Sequence, residues 1–336
     1  MAKVGFCCKW IDHPSECAGR KPTTESREVN GRSTTMRWLR EHPEEAENRQ
    51  WDIMNHNAAA ALKMVERVGN LQPELRMVRL GSEMLQGYTE PNWIDWWQQS
   101  DVQDHLAKIF APVGDAARRL GVRLSFHPGQ FCVLASDNPD IVERSILEFE
   151  YHVDMVRWMG YGKTFQDFKV NVHISGRNGP EGIRNVLGRL SPEARNTITI
   201  ENDENKWGLE ASLELANEVA LVLDIHHHWV NSGEYIRPTD DRVKRVIDSW
   251  RGIRPAMHYS VSRDDYLIDH DPEVLPDMDT LLESGYKKQK LRAHSDFYWN
   301  RAANRWAAEF SEYFDIQCES KGKNLASFEF AQNYII

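Results

Sequence analysis

Eight short apolar runs, each followed by a stretch with helical character, do most to limit what this 336-residue chain can fold into. The runs are KVGFCC (3–8), RMVRLG (76–81), VRLSFH (122–127), KVNVHI (169–174), TITIEN (197–202), LVLDIH (221–226), PAMHYS (255–260) and FDIQCE (314–319). All have strand length and are rich in residues that suit a pleated, buried surface. The segments between them carry helix punctuation. AALKMVERVGN stops at Gly69 and Asn70, and HLAKIFAPVGDAARRLG stops at Gly121. NPDIVERSILEFEYHVDMVRWMG offers Asn138 as N-cap with Pro139 in the first helical position. LEASLELANEVA separates the fifth and sixth runs. Parallel strands joined by crossover helices give either an open doubly wound sheet or a closed barrel. No G-x-G-x-x-G follows the first run, and a count of eight selects the barrel. The expected fold is α/β, a TIM-type (β/α)8 barrel with loop insertions, one domain over residues 1–336. Two segments break the rhythm: 11–50, polar with a candidate helix at 34–48, and 261–297 after the seventh run.

Composition narrows the setting. The chain is 41% hydrophobic, enough for a substantial core, yet no apolar run approaches the roughly 20 residues needed to cross a bilayer. MAKVGFCCKW reads as a first strand and not as a leader, so export is not expected. The five cysteines (Cys7, Cys8, Cys17, Cys132 and Cys318) are scattered and form no C-x-x-C pair. That argues against a disulfide framework or a thiolate zinc site and for a reducing cytoplasm, nucleoid-associated if bacterial. Cys7 and Cys8 are expected on opposite faces of the first strand. Forty-one Lys and Arg against 51 Asp and Glu give a net charge of −10, which as a global sum opposes phosphate binding. A groove is local, however, and carboxylates that hold divalent cations add negative charge without repelling phosphate.

The chemistry lies where the runs end. They close at His127, His173, Glu201, Asp224, His258 and Glu319, six ligand-type residues on six strands. A barrel gathers all strand C-termini on one face, where barrel active sites are built. Glu201 directly follows the apolar ITI, and a buried carboxylate there requires a partner. Of His226, His227 and His228, His227 is favoured as a ligand turning back towards Asp224, although strand parity alone selects His226. Mixed N/O ligands in this number suit two or three ions, with Glu201 bridging. They fit Mn²⁺, Zn²⁺ or Fe²⁺ and not copper(I) or an iron–sulfur cluster. Ions about 3.5–4 Å apart supply a hydroxide at neutral pH and stabilise attacking and leaving oxygens, which points to a phosphoesterase.

FHPGQF (126–131), NVHISG (171–176), IEND (200–203), LDIHHH (223–228), MHYS (257–260), LRAHSDF (291–297) and CESKGKN (318–324) stand in the order seen in the UV damage endonuclease family. The chain resembles that family from about Gly5 to Asn324, with a longer stretch between MHYS and LRAHSDF. The resemblance implies an endonuclease IV-like barrel that cuts immediately 5′ to a lesion such as a cyclobutane dimer, using a cluster of divalent metals, often manganese. It implies that His127, His173 and Glu201 hold one metal. Glu201 would bridge to a second, held also by Asp224, His258 and Glu319, while His227 and His294 hold a third. It places Gln130 and Phe131 at lesion-probing positions and Phe6 at a first-strand aromatic position, where tyrosine is frequent. An aromatic face and an amide can fill the gap left by extruded nucleotides. At Ala256 the chain departs from members that carry a lysine, which can be carboxylated, two residues before the strand-seven histidine. His270 is expected to pack in its loop.

Arg79, Arg177, Arg263, Arg292 and Lys323 flank the expected mouth and are candidate phosphate contacts, with YKKQKLR (286–292) the densest basic stretch. Lys321 is expected beside the phosphate, assisting Glu201 and the metals. The expected function is therefore metal-dependent hydrolysis of damaged double-stranded DNA, with no membrane and no obligate protein partner. Rival readings are a sugar isomerase-like or iron-dependent barrel acting on a small molecule, and a lesion-binding protein without catalysis; fold alone separates none of them.

Overall fold

The computed structural model describes residues 1–17 and 19–336. Eight parallel strands close into a barrel in chain order: β1 (Val4–Cys7), β2 (Met77–Arg79), β3 (Arg123–Phe126), β4 (Lys169–His173), β5 (Ile198–Glu201), β6 (Ala220–Asp224), β7 (Ala256–Tyr259) and β8 (Asp315–Cys318). β1 pairs with both β2 and β8, which leaves no open edge. Seven of the eight expected runs contain a whole strand, and β6 begins one residue before its run. Cys8 lies beyond the end of β1 in a left-handed turn, φ 68°, so the two adjacent cysteines do not share a strand.

Helices cover the barrel because their apolar residues recur on one face. In Ser100–Leu120 the buried apolar side chains are Val102, Leu106, Phe110, Val113, Ala116 and Ala117, the spacing of one helical stripe. Gly121 ends this helix at φ +66°, a conformation that costs a side-chain-bearing residue energy. Asn138 caps Pro139–Trp158 by accepting from the Asp140 N–H at 2.9 Å. Inside the barrel, Gly5 is required for space: a Cβ there would meet Met77 Cγ at 2.6 Å. Met77, Ala220, Val222, Trp250 and Ala256 form a separate small apolar cluster.

Both insertions pack against the barrel's loops. The expected helix at 34–48 is divided into Met36–Glu41 and the long Pro43–Gly69. Pro43 disfavours helical backbone in the residue before it, and His42 sits at φ −131°, ψ 61°. In 11–50, Asp12 accepts from Thr23 and from Ser26 at 3.0 Å, which folds the segment onto itself. The excursion after β7 carries helices Met278–Glu283 and Lys288–Leu291 and returns to its start. Ser262 bridges to His294, and the Ser295 N–H donates to Val261 O at 3.0 Å. Its two ends therefore meet at the barrel mouth. Among the described residues, no helix is long and apolar enough to cross a membrane.

Candidate metal centre

Strand register sets the centre. His173 on β4 is level with Glu201 on β5, and Asp224 on β6 is level with His258 on β7. His127 follows β3 and Glu319 follows β8, so six strands deliver their donors to one end of the barrel. Glu201 is at the middle. Its Oε2 lies 3.3 Å from His127 Nε2 and 3.9 Å from His173 Nε2, and its Oε1 lies 3.0 Å from His258 Nδ1. His258 Nδ1 is also 3.4 Å from Glu319 Oε1. Three groups have donor atoms all within 4.8 Å of one another: His127, His173 and Glu201; Glu201, Asp224, His258 and Glu319; and His173, Glu204 and His227.

The surrounding hydrogen bonds fix which nitrogens face inward. A carbonyl oxygen only accepts, so His127 Nδ1, 2.8 Å from Pro128 O, carries its hydrogen and leaves Nε2 towards Glu201. Glu201 Oε2 also accepts from Asn171 Nδ2, and Asn171 Oδ1 accepts from Thr199 Oγ1 at 2.7 Å. His258 Nε2 lies 2.9 Å from Lys169 Nζ. Burial and the nearby Arg79 guanidinium pull the Lys169 ammonium down to about 7. An amine near neutrality can donate to the ring or accept from it, so His258 Nδ1 is free to face either a carboxylate or a cation.

His227 reaches the centre through a change of backbone. β6 ends at Asp224, which caps the helix Ile225–Ser232 by accepting from the His227 N–H at 2.7 Å. Strand parity stops applying at that point, and the third helical residue swings back over its own cap. His226 instead lies against Ser260 Oγ at 2.9 Å and Ser262 Oγ at 3.2 Å, and His228 against Glu234 at 3.1 Å.

Burial would raise the Glu201 carboxyl, but the facing His258, His173 and His127 hold it well below the usual carboxylate range. Burial also pulls His127 down and takes His258 to about 4, which favours the neutral, ligand-competent form of both rings. Asp224 goes the other way: burial, with Glu201 and Glu319 nearby, raises it well above its ordinary value. Its Oδ2 is buried without a hydrogen-bond partner among the described residues. A carboxylate oxygen left bare beside two other carboxylates is the signature of a site short of positive charge. These oxygen and imidazole donors fit a hard or borderline divalent cation.

Residues 17–335 match the family described as UV-endonuclease UvdE. The chain belongs to that family. It is 23% identical over 301 residues to a "UV DNA damage endonuclease" of Bacillus thuringiensis, covering 86% of this chain and 84% of the relative. A "UV-damage endonuclease" of Neurospora crassa is 28% identical over 263 residues, covering 70% of this chain and 39% of that longer protein. Among solved structures, SacUVDE superposes with a TM-score of 0.71 at 22% identity over 99% of this chain and 98% of that one. Endonuclease IV from Thermus thermophilus gives 0.52 at 12% identity over 82% and 92%. These two likenesses establish the shared barrel.

For a UV-endonuclease family member the rim is as informative as the centre. Phe131 is 86% exposed on the β3 loop, next to exposed Gln130. Phe6, expected to face a lesion, is fully buried and packs edge-on against Trp10 and Phe328, outside the barrel wall. Its neighbours Gly5 and Cys7 take the inward positions, so alternation along β1 sends Phe6 outward. Arg79, expected on a loop, is a largely buried strand residue that donates to Glu319. Its charge faces the acidic cluster through Glu319. Arg177 is well exposed and Arg263 half-exposed, with Asp137 at 3.4 Å and Asp265 as respective partners. Lys321 is half-exposed, with its Nζ 3.6 Å from Asp296. Lys323 opens the last helix at φ 50°.

A cavity of about 430 Å³ beside the donors is lined by His127, Gln130, His173, Glu204, His227, Arg292 and His294, among others. His294 lines it while its Nδ1 lies 2.9 Å from Glu319 O, and it joins none of the three donor groups. His270 lies in its loop, edge-on to Trp299. Lys169, Asn171 and Glu204 were not apparent as site residues from the sequence. Lys169 and Asn171 share strand parity with His173, which was the available signal. No lysine stands at Ala256; the lysine beside His258 comes from β4.

Proposed function

We propose that this chain is a DNA repair endonuclease that hydrolyses the phosphodiester bond 5′ to a UV photoproduct or other distorting lesion, using divalent ions held at the barrel mouth. Family membership supports the endonuclease reading. The observation that carries the metal reading is Glu201, buried between two donor groups with an oxygen facing each, beside the unpartnered Asp224 Oδ2. His127, His173 and Glu201 would hold one ion, and Glu201, Asp224, His258 and Glu319 another. Mn²⁺ is the preferred ion, with Zn²⁺ or Fe²⁺ able to use the same ligands. Ions bound there supply a nucleophile at neutral pH and neutralise charge on the phosphoryl group.

The protein's own groups do the rest. Asn171 fixes the Glu201 carboxylate, Lys169 sets the His258 ring, and Arg79 offsets the charge of Glu319. Phe131 and Gln130 are placed to enter a distorted step, where unstacking costs least. Arg177, Arg263, Arg292, Lys321 and Lys323 contact phosphates; exposed ion pairs contribute little, so Arg177, Arg263 and Lys321 exchange carboxylate for phosphate readily. We read the chain as one domain, its substrate damaged double-stranded DNA and its setting the cytoplasm or nucleoid.

The test is an end-labelled duplex with one cyclobutane dimer, incubated with Mn²⁺ and mapped at its product ends. The unmodified protein should cut 5′ to the dimer, and Glu201→Gln should lose at least about 100-fold in rate, more than a supporting residue costs. Undiminished cutting by Glu201→Gln would remove Glu201 from the chemistry.

A further inference from the structure

The loop after β5 holds a carboxylate that the two main donor groups do not use. Asp203 turns this loop by accepting from the N–H groups of Asn205 at 2.6 Å and Lys206 at 3.0 Å. The turn projects Glu204, nearly buried, into the mouth cavity. Its two oxygens have different surroundings. Oε1 accepts from Asn205 Nδ2 at 2.9 Å and Arg292 Nη1 at 3.0 Å, so it is satisfied. Oε2 accepts no hydrogen bond among the described residues and faces His227 Nε2 at 3.9 Å, too long for one.

His227 is oriented to match. Its Nδ1 lies 3.1 Å from Asn202 O, an acceptor, so Nδ1 donates and Nε2 points at Glu204. His173 completes the group. His173 is common to this group and to that of His127 and Glu201, whereas His227 and Glu204 belong to this group alone. That leaves His227 and Glu204 as the pair committed to this position, with further coordination open to solvent or a phosphate oxygen.

We infer that Glu204 is a ligand, through Oε2, of the third cation position, the one at His227, and that Arg292 of the β7 excursion holds the carboxylate in place through Oε1. This deepens the proposed function and rests on its metal reading. An outer partner that orients a ligating carboxylate tunes the ion's affinity. Arg292 has further N–H groups beyond the one spent on Glu204. It therefore links the basic stretch 286–292 to the ion: a phosphate drawn to this guanidinium arrives beside an open coordination position.

The experiment measures Mn²⁺ bound per chain, by calorimetric titration and by metal analysis after gel filtration, in the unmodified protein, Glu204→Gln and Arg292→Ala. Thermal melts of the metal-free forms confirm folding. Glu204→Gln should bind one equivalent fewer, with the remaining equivalents within about twofold of their original affinity. Arg292→Ala should keep the stoichiometry and weaken that same equivalent about 10–100-fold. Full stoichiometry at unchanged affinity in Glu204→Gln overturns the inference. Loss of every equivalent overturns it too, because Glu204 would then belong to one indivisible cluster. An unmodified protein that holds no Mn²⁺ overturns the cluster itself, a result distinct from either.

Discussion

Phe131 and Phe6 are both aromatic residues placed by resemblance at the lesion, and their environments dictate opposite responses to truncation. Phe131 is solvated on a loop, so Phe131→Ala should leave stability within about 0.5 kcal/mol. Its effect should fall on discrimination: affinity for a dimer-containing duplex should drop by about 1–3 kcal/mol, the scale of a base–aromatic stack, while affinity for intact duplex stays unchanged. Phe6→Ala empties a packed site between Trp10 and Phe328 and should cost about 3–5 kcal/mol of stability. Urea melts and equilibrium binding to both duplexes check the pair; equal loss of both duplexes in Phe131→Ala would make it a general contact. The contrast shows what strand-end reading delivers. His127, His173, Glu201, Asp224, His258 and Glu319 were legible because a barrel collects strand termini whatever lies between them. Phe6 and Arg79 were misplaced because proximity to a strand end says nothing of which face a side chain takes. Parity does, and parity along β4 would have added Lys169 and Asn171.

At the scale of elements, the departures come from how strands hand over to helices. His227 is decided by a helix cap at Asp224, and the split near residue 42 by the proline that starts the next helix; both are local effects that an apolar pattern cannot register. Glu204 is decided by a turn that Asp203 folds through its side chain. The helix Pro139–Trp158 supplies a separate, testable consequence. Its Glu148 is partly buried against the loop after β2, beside Thr89. Burial, with Glu83 adding and Thr89 opposing, raises its carboxyl to about 7 from an ordinary 4.5. The folded state holds this proton more tightly than the unfolded chain. Stability from Glu148 is therefore fully present below about pH 4.5 and is lost as pH rises through 7. Glu148→Gln keeps the shape without the charge and should stabilise the protein at pH 8 by on the order of 1 kcal/mol, a figure discounted because the side chain is a third exposed. At pH 5 the gain should nearly vanish. Urea titrations at both pH values decide it, and an equal gain at each would show that Glu148 is not protonated in the fold.

For the whole molecule, the net charge of −10 and a phosphate-binding role are compatible because the negative charge is partly concentrated where cations belong. Glu201, Asp224 and Glu319 are gathered at the end of a closed barrel, and among the described residues Arg79 pairs with Glu319. Without ions, Asp224 bears the cost: it is buried, raised well above its ordinary value and bare at Oδ2. Because its folded carboxyl titrates higher than the unfolded one, its ionisation destabilises the ion-free fold increasingly as pH rises. Asp224→Asn should then melt a few °C above the unmodified protein in EDTA at pH 8, since about 1 kcal/mol shifts a large domain by roughly 2–4 °C. Saturating Mn²⁺ should reverse the order. An ion at 100 times its dissociation constant adds about 2.7 kcal/mol per site, and the variant forfeits part of that gain. Melting curves of both proteins with EDTA and with Mn²⁺ test the crossing. A variant that melts lower under both conditions would mean that Asp224 is held by interactions of the fold itself, and the case for a cation beside it would lose its strongest thermodynamic support.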